Sequence, residues 1–365
     1  MIDLRRLMAI IVKELRQLKR DRVSFAMIVG IPILELLLFG YAINLDVRHL
    51  KAAVLDQAHT EHSRELIAQL GANQVLDLRR RLSSRQQISE LMRRGEISAA
   101  IVVPADFDTR LARGGEPAFQ VVVDGSDQAV QQAVRQLAEY PLRALDDPLA
   151  QLQSSVEIVN FYNPQRLAPL NSVPGLIGVI LTMTMVLFTA IALVRERERG
   201  NLEMLIATPV SPWELTIGKV LPFIGIGLIQ VTLTLLAGYV IFGVPVRGNL
   251  AEFYFAALAF IFASLSLGVL LSTIAKSQFQ AMQLTMFTFL PQILLSGFAF
   301  PFPGMPPLAQ WIGELMPLTH FVRLARGIAL RSASLLDLWP EVAALLAFAA
   351  IVLGVAVTRV SKRLD

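Results

Sequence analysis

Apolar residues in this chain are gathered into six long runs, roughly Val23–Asn44, Val173–Val194, Val220–Phe242, Phe253–Ala275, Ala281–Phe300 and Trp339–Thr358. Each comes close to the ~20 apolar residues that a helix needs to cross a bilayer core. Between the first and second runs the pattern changes. AAVLD (Ala52–Asp56), SAAIVVP (Ser98–Pro104) and FQVVVDGSD (Phe119–Asp127) read as short strands, the last closed by a turn. Helical patterns separate and follow them: SRELIAQL from Ser63, RQQISELMRR from Arg85, and a longer one from Gln128 to about Val159. The pattern predicts a polytopic α-helical membrane protein with six transmembrane helices and an inserted extracytoplasmic α/β domain. At about 120 residues, that domain is large enough to bury its own core.

Ahead of the first run, Ile2, Leu4, Leu7, Met8, Ile11, Leu15 and Leu18 recur at helical spacing with basic residues between them. Residues 1–22 therefore read as a cytoplasmic amphipathic interfacial helix. A basic flank for the anchor and a contact with a partner both account for it. The remaining divisions are 23–44 for the first transmembrane helix, 45–172 for the extracytoplasmic domain, and 173–365 for a five-helix transmembrane region. The last contains a cytoplasmic elbow at 195–219 and an external segment at 301–338, where Pro301, Pro303, Pro306 and Pro307 break the fifth run and Trp311 is placed as an interfacial anchor.

Composition agrees with a membrane protein: 54% of the 365 residues are hydrophobic, 17% are charged, and the mean hydropathy is +0.56. The net charge of +4 does not point to nucleic acid, because the basic residues lie mostly beside apolar runs. Arg5, Arg6, Lys13, Arg16, Lys19, Arg20 and Arg22 place the N-terminus in the cytoplasm; an even number of spans returns the C-terminus there, as Arg359, Lys362 and Arg363 also predict. The first run follows a charged amphipathic segment and lacks a small-residue cleavage site, so it reads as a retained anchor.

Candidate chemistry is sparse. The chain contains no cysteine, which excludes disulfides, thiolate metal sites and cysteine nucleophiles. His59 and His62, near Asp56 and Glu61, have a spacing that suits a divalent ion but offer no third clear ligand, and a solvated loop accounts for them equally. Asp124, Gly125 and Asp127 make a turn, since the regular ligand series of a calcium loop is missing. Arg79, Arg80, Arg81, Arg85, Arg93 and Arg94 form a basic cluster that reads first as a solvated helix face and second as a site for anionic headgroups or an acidic partner. Gly218-Lys219 resembles the end of a Walker A loop, but Trp213 stands where its first glycine belongs and no Ser or Thr follows the lysine. No hydrolase motif is present, so no catalytic, cofactor-binding or metal residues are assigned. Thr182, Thr184, Gln230, Gln283 and Gln292 are suited to bridging helices. Glu35 is an ionisable residue within the first span. It reads either as a translocation-path residue or as a protonated glutamate bonded to a neighbouring helix.

The elbow carries the most information. Alternating charges in RERERGNLEMLIATPVSPWELTIGK, Arg195–Lys219, cannot enter hydrocarbon and nearly cancel, which favours a protein partner over lipid. Thr208-Pro209 ends one helix. Ser211, Pro212 and Glu214 then start the next with a capping box. This stretch resembles the coupling loop of type-2 ABC exporter permeases, E-x-G-[TN]-x-E-x-L-x-x-[TS]-P, in the branch with a large external domain between the first and second spans. FGYAINLDVRHLKAAVLDQ, IVVPADFDTRLARGGEPAFQVVVDGSD and MPLTHFVRLARGIALR extend the resemblance over almost the whole chain. Asn201 stands where threonine is more common, and Glu35 interrupts a usually apolar run.

The resemblance implies a permease subunit in the bacterial inner membrane that exports an amphipathic, drug-like or lipid-like substrate. ATP and Mg would bind on a separate ABC ATPase subunit. Further partners would be a second permease chain, as homodimer or heterodimer, and a periplasmic membrane-fusion adaptor. Glu198, Arg199, Gly200 and Glu203 would contact the ATPase, Asn201, Thr208 and Pro209 would shape the elbow, and the external segment 301–338 would be re-entrant, as in the related permeases. The competing reading is a non-transporting receptor that senses a ligand with its external domain and signals inward.

Overall fold

A computed structural model describes residues 49–72, 75–113, 117–127, 130, 131, 133, 134, 156–165, 167–198 and 212–361. The interfacial helix and first span proposed for 1–44 lie outside these residues.

The α/β unit is built on one sheet. Strands β1 (Leu50–Asp56), β2 (Leu76–Arg81), β3 (Ala99–Val103), β4 (Phe119–Asp124) and β5 (Val156–Phe161) take the order β2-β1-β3-β4-β5. β1 runs parallel to both neighbours, β3 and β4 are antiparallel, and β4 and β5 are parallel. Successive side chains of a strand point to opposite faces, and the two faces here have separate cores. Leu50, Ala52 and Val54 of β1 meet Leu66 and Leu70 of α1 (Glu61–Ala72) and Phe107 of α3 (Phe107–Arg113). On the other face, Ala53 and Leu55 meet Ile88 and Met92 of α2 (Arg85–Arg93). Every residue of β3, AAIVV, is consequently buried.

Two sequence expectations change here. The helix expected to continue to about Val159 overlaps β5. VEIVNF carries β-branched residues, and its pairing with β4 from Phe119↔Val156 to Asp124↔Phe161 prevails over the helical pattern. The basic cluster is also not one helix face. Arg79, Arg80 and Arg81 are on edge strand β2, where exposed cations discourage edge-to-edge pairing, whereas Arg85 and Arg93 are on α2 and Arg94 caps it.

The remaining helices are α4 (Ala168–Glu198), α5 (Pro212–Phe242), α6 (Leu250–Ile274), α7 (Gln278–Leu295), α8 (Pro307–Glu314), α9 (Pro317–Arg331) and α10 (Trp339–Ser361). Among the described residues, four segments are long and apolar enough to cross a membrane: Pro169–Glu198, Pro222–Phe242, Leu250–Ile274 and Trp339–Ala356. In its most apolar window α6 is 72% buried, against 17% for α5 and 11% for α10, so α6 is the hub. Small residues bring the other helices close to one another. A Cβ on Gly268 of α6 would stand 2.8 Å from the Val186 carbonyl of α4, and one on Gly178 would stand 2.7 Å from Leu318 and Phe321 of α9. Phe321 in turn stacks on Phe260 of α6 at 4.4 Å between ring centroids.

The fifth apolar run is not helical to Phe300. α7 stops at Leu295, capped by Ser296, and Gly297 follows with φ +78°, a left-handed conformation that favours glycine. A 3-10 turn at Phe302–Gly304 leads into α8 and α9, two short helices within the segment predicted to be re-entrant.

Candidate functional site

Elbow residue Glu198 is the last residue of α4, and the structure commits it to α7. Its carboxylate accepts from the Gln278 backbone N–H at 3.0 Å and from the Gln278 amide. A carboxylate at a helix N-terminus satisfies unpaired donors and opposes the positive end of the helix dipole. The residue before it does the converse. Arg197 donates to the carbonyls of Ser272 at 3.0 Å and Ala275 at 3.3 Å, at the C-terminal end of α6. One cation and one anion at the end of α4 therefore bracket the tight α6–α7 junction. Arg199, Gly200, Asn201, Glu203, Thr208 and Pro209, and likewise Glu35, lie outside the described residues. α5 opens at Pro212, as its first-turn chemistry predicted.

A second polar assembly joins α8, α9 and α10. His320 Nε2 faces the Glu314 carbonyl at 2.8 Å, and Nδ1 faces the Glu341 carboxylate. Both ring nitrogens face acceptors, an arrangement that favours the doubly protonated ring. Burial works against that charge, but the bond and the charge of Glu341 outweigh it and raise the His320 pKa. Arg323, one turn further along α9, donates to both oxygens of Glu314 at 3.0 and 2.6 Å and reaches Glu341 at 3.3 Å. It also lies 4.6 Å above the Phe302 ring. Two cations and two carboxylates thus balance, with His320 and Glu341 buried and Glu314 at the exposed rim. Sequence reasoning missed this group. The signal available was His320 and Arg323 at i, i+3, a spacing that places them on one face of α9.

Ion pairs clasp the sheet unit to these helices. Arg93 of α2 pairs with Asp337 in the α9–α10 loop, Arg94 approaches the same carboxylate at 3.8 Å, and Arg331 of α9 meets Asp124 at 3.3 Å. Burial opposes the Asp337 charge, but hydrogen bonds from Ser334 and Arg93 prevail and lower its pKa. Asp124 also accepts from the Ser126 N–H, so Asp124, Gly125 and Asp127 do form the predicted turn. The metal reading of the histidines gains no support: Asp56 is bonded to the N–H groups of Ala58 and His59 and to the Ser63 hydroxyl, while His62 lies 3.3 Å from Asp108. Within the bundle, Thr184 donates to Gln230 at 2.9 Å and Thr232 bonds Tyr254, two bridges between helices.

Apolar helices, a charged bracket at one end and a polar assembly at the other describe a transport bundle with no hydrolytic constellation among the described residues. Comparison with known proteins settles the class. Residues 22–358 match the family model described as ABC-2 family transporter protein. The chain belongs to this family. It is 30% identical over 370 aligned positions to the probable multidrug ABC transporter permease YbhS of Escherichia coli (strain K12), covering 99% of this chain and 98% of that one. Against YbhR of the same strain, also a probable multidrug ABC transporter permease, identity is 29% over 339 positions, 92% of each chain. Against the inner membrane transport permease YhhJ it is 29% over 283 positions, 73% and 74% of the two chains. As an ABC-2 transporter protein the chain is the multi-pass membrane permease of an ABC exporter, and ATP hydrolysis belongs to a separate subunit. Family membership decides for transport over the receptor reading.

Proposed function

We propose that this permease exports an amphipathic, drug-like or lipid-like substrate, with six spans, both termini cytoplasmic and the α/β unit on the extracytoplasmic side. Two permease chains would pair, each served by an ABC ATPase carrying ATP and Mg, and a membrane-fusion adaptor would engage the external unit. The elbow 195–219 would be the ATPase dock, with Glu198, Arg199, Gly200 and Glu203 contacting the partner and Asn201, Thr208 and Pro209 setting its shape. Glu35 would line the path. Relatives named as multidrug permeases support the substrate class.

One observation carries the coupling mechanism: Arg197 and Glu198 hold the α6–α7 junction. The elbow is covalently continuous with α4 and α5, so a displacement there reaches those two helices through the chain and α6 and α7 through the bracket. The test is affinity capture of the full chain from mildly solubilised native membranes, comparing wild type with Glu203→Arg. Recovery of a P-loop ATPase with wild type and its depletion with the well-folded variant are expected. Equal recovery with both would refute docking at the elbow, and no ATPase with either would refute the proposed assembly.

A further inference from the structure

Between the sheet unit and the α8–α9 segment lies a part-open cleft of about 920 Å³. Its lining mixes charged and apolar groups, with Arg326 and Arg331 beside Phe302, Met305 and Val322. The acidic groups around it are mostly engaged: Asp77 with Arg79, Asp124 with Arg331, and Glu314 and Glu341 with Arg323. Arg326 is different. Its side chain is only 12% exposed, yet it makes one bond to the Gly297 carbonyl at 3.2 Å and stands 3.8 Å from Asp127. The Nε of Arg326, like that of Arg331, is buried with no hydrogen-bond partner among the described residues. A guanidinium has five N–H donors, and leaving them unpaired while excluding water is costly.

The helix beside the cleft adds the second half of the argument. Pro307, Gln310 and Glu314 of α8 line the cleft at i, i+3 and i+7. One position on in each case, Leu308, Trp311 and Leu315 form a parallel ridge that is 73%, 77% and 72% exposed. A polar recess and a bare apolar ridge thus share the same short stretch of chain, which is the distribution an amphiphile presents in mirror image.

We infer that this cleft receives the oxyanion headgroup of an amphiphile. Arg326 is its principal contact and Arg331 a supporting one, with the apolar body lying along Leu308, Trp311 and Leu315. The inference rests on the exporter reading and narrows its substrate class to anionic amphiphiles, either phosphate-headed, as a lipid would be, or carboxylate-headed. An oxyanion in the cleft would offer the Arg326 guanidinium a closer charged acceptor than Asp127 at 3.8 Å.

The test is saturable binding of radiolabelled dodecyl phosphate, dodecanoate and dodecyltrimethylammonium to the full chain in phosphatidylcholine nanodiscs, after subtraction of uptake by empty discs. One or both anions should saturate and the cation should not. A preference for dodecyl phosphate identifies a lipid-type headgroup, and a preference for dodecanoate a carboxylate one. Arg326→Gln should weaken anion binding about tenfold, equivalent to 1.4 kcal/mol. Arg326→Lys, which keeps the charge if the first variant folds poorly, should weaken it less. Anion binding unchanged in a folded Arg326→Gln, or equal saturable binding of the cation, would overturn the assignment. Displacement of dodecyl phosphate by inorganic phosphate at the same concentration would overturn the requirement for an apolar body. No ATPase is present in this assay, so a negative result leaves the elbow and its partner untouched, and failure to capture an ATPase leaves the binding result standing.

Discussion

Replacing Glu341 with glutamine tests whether the His320 assembly is held by charge. The substitution keeps side-chain shape but removes the anion facing His320 Nδ1, while Arg323 retains both oxygens of Glu314. His320 and Glu341 have side chains only 10% and 18% exposed, so the loss is larger than for a surface pair. Breaking a buried ion pair typically costs 3–5 kcal/mol. Here His320 can shed its proton, which limits the expected loss to about 1–2 kcal/mol at mildly acidic pH. The sign of the pH dependence follows from the raised His320 pKa. A histidine whose folded pKa exceeds its ordinary ~6.5 contributes its full stabilisation below that value and loses it as pH rises through the folded one. Thermal unfolding of the detergent-purified full chain, followed by intrinsic fluorescence at about pH 6 and about pH 9, measures both effects. At about 2–4 °C per kcal/mol, Glu341→Gln should melt a few degrees below wild type in acid, and the gap should narrow in base. Equal melting temperatures in acid, or an unchanged gap at both pH values, would refute a charge-held assembly.

Three further outcomes follow from the packing. Charge reversal in Asp337→Arg should loosen the sheet unit from the helices, raising hydrogen exchange in α2; restoring opposite charge with Arg93→Asp should recover at least half of the protection. Gly268→Val should destabilise the bundle by about 1–3 kcal/mol, because its Cβ would meet the Val186 carbonyl at 2.8 Å; a melting temperature unchanged within error would contradict the close approach of α4 and α6. In proteoliposomes containing the partner ATPase, Arg197→Ala combined with Glu198→Ala should leave ATP hydrolysis largely intact but lower transport per ATP, and an unchanged ratio would show that the bracket carries no coupling.

The long helices were legible because a bilayer demands a continuous apolar stretch that hydropathy alone detects. Their ends were less so. Apolar residues continue past Leu295 to Phe300, but helix continuity depends on backbone geometry, and Gly297 at φ +78° breaks it where hydropathy cannot register the change. β1, β3 and β4 were readable from β-branched runs. β2 was hidden because LDLRRR buries only Leu76 fully and shows three arginines, the signature of an edge rather than of a core strand. β5 was hidden within a helical pattern, since its identity comes from β4, more than thirty residues away. Among site residues, Glu198 could be singled out by motif, whereas its partner Gln278 could not, because nothing in the local pattern announces a contact across 80 positions. The pairing of His320 with Glu341 was invisible for the same reason, although the polar spacing on α9 was there to be noticed.

The enclosure of α6 limits how this permease can change shape. A helix packed by α4, α9 and α10 and buried over 72% of its apolar core cannot slide or rotate alone without opening voids on several sides at once. Rearrangement during a cycle is therefore cheapest at the perimeter, where α5 and α10 expose most of their surface. Spectroscopic labels placed on α4 and α6 should keep a fixed separation throughout turnover, while a label on α5 measured against one on α6 reports the stroke.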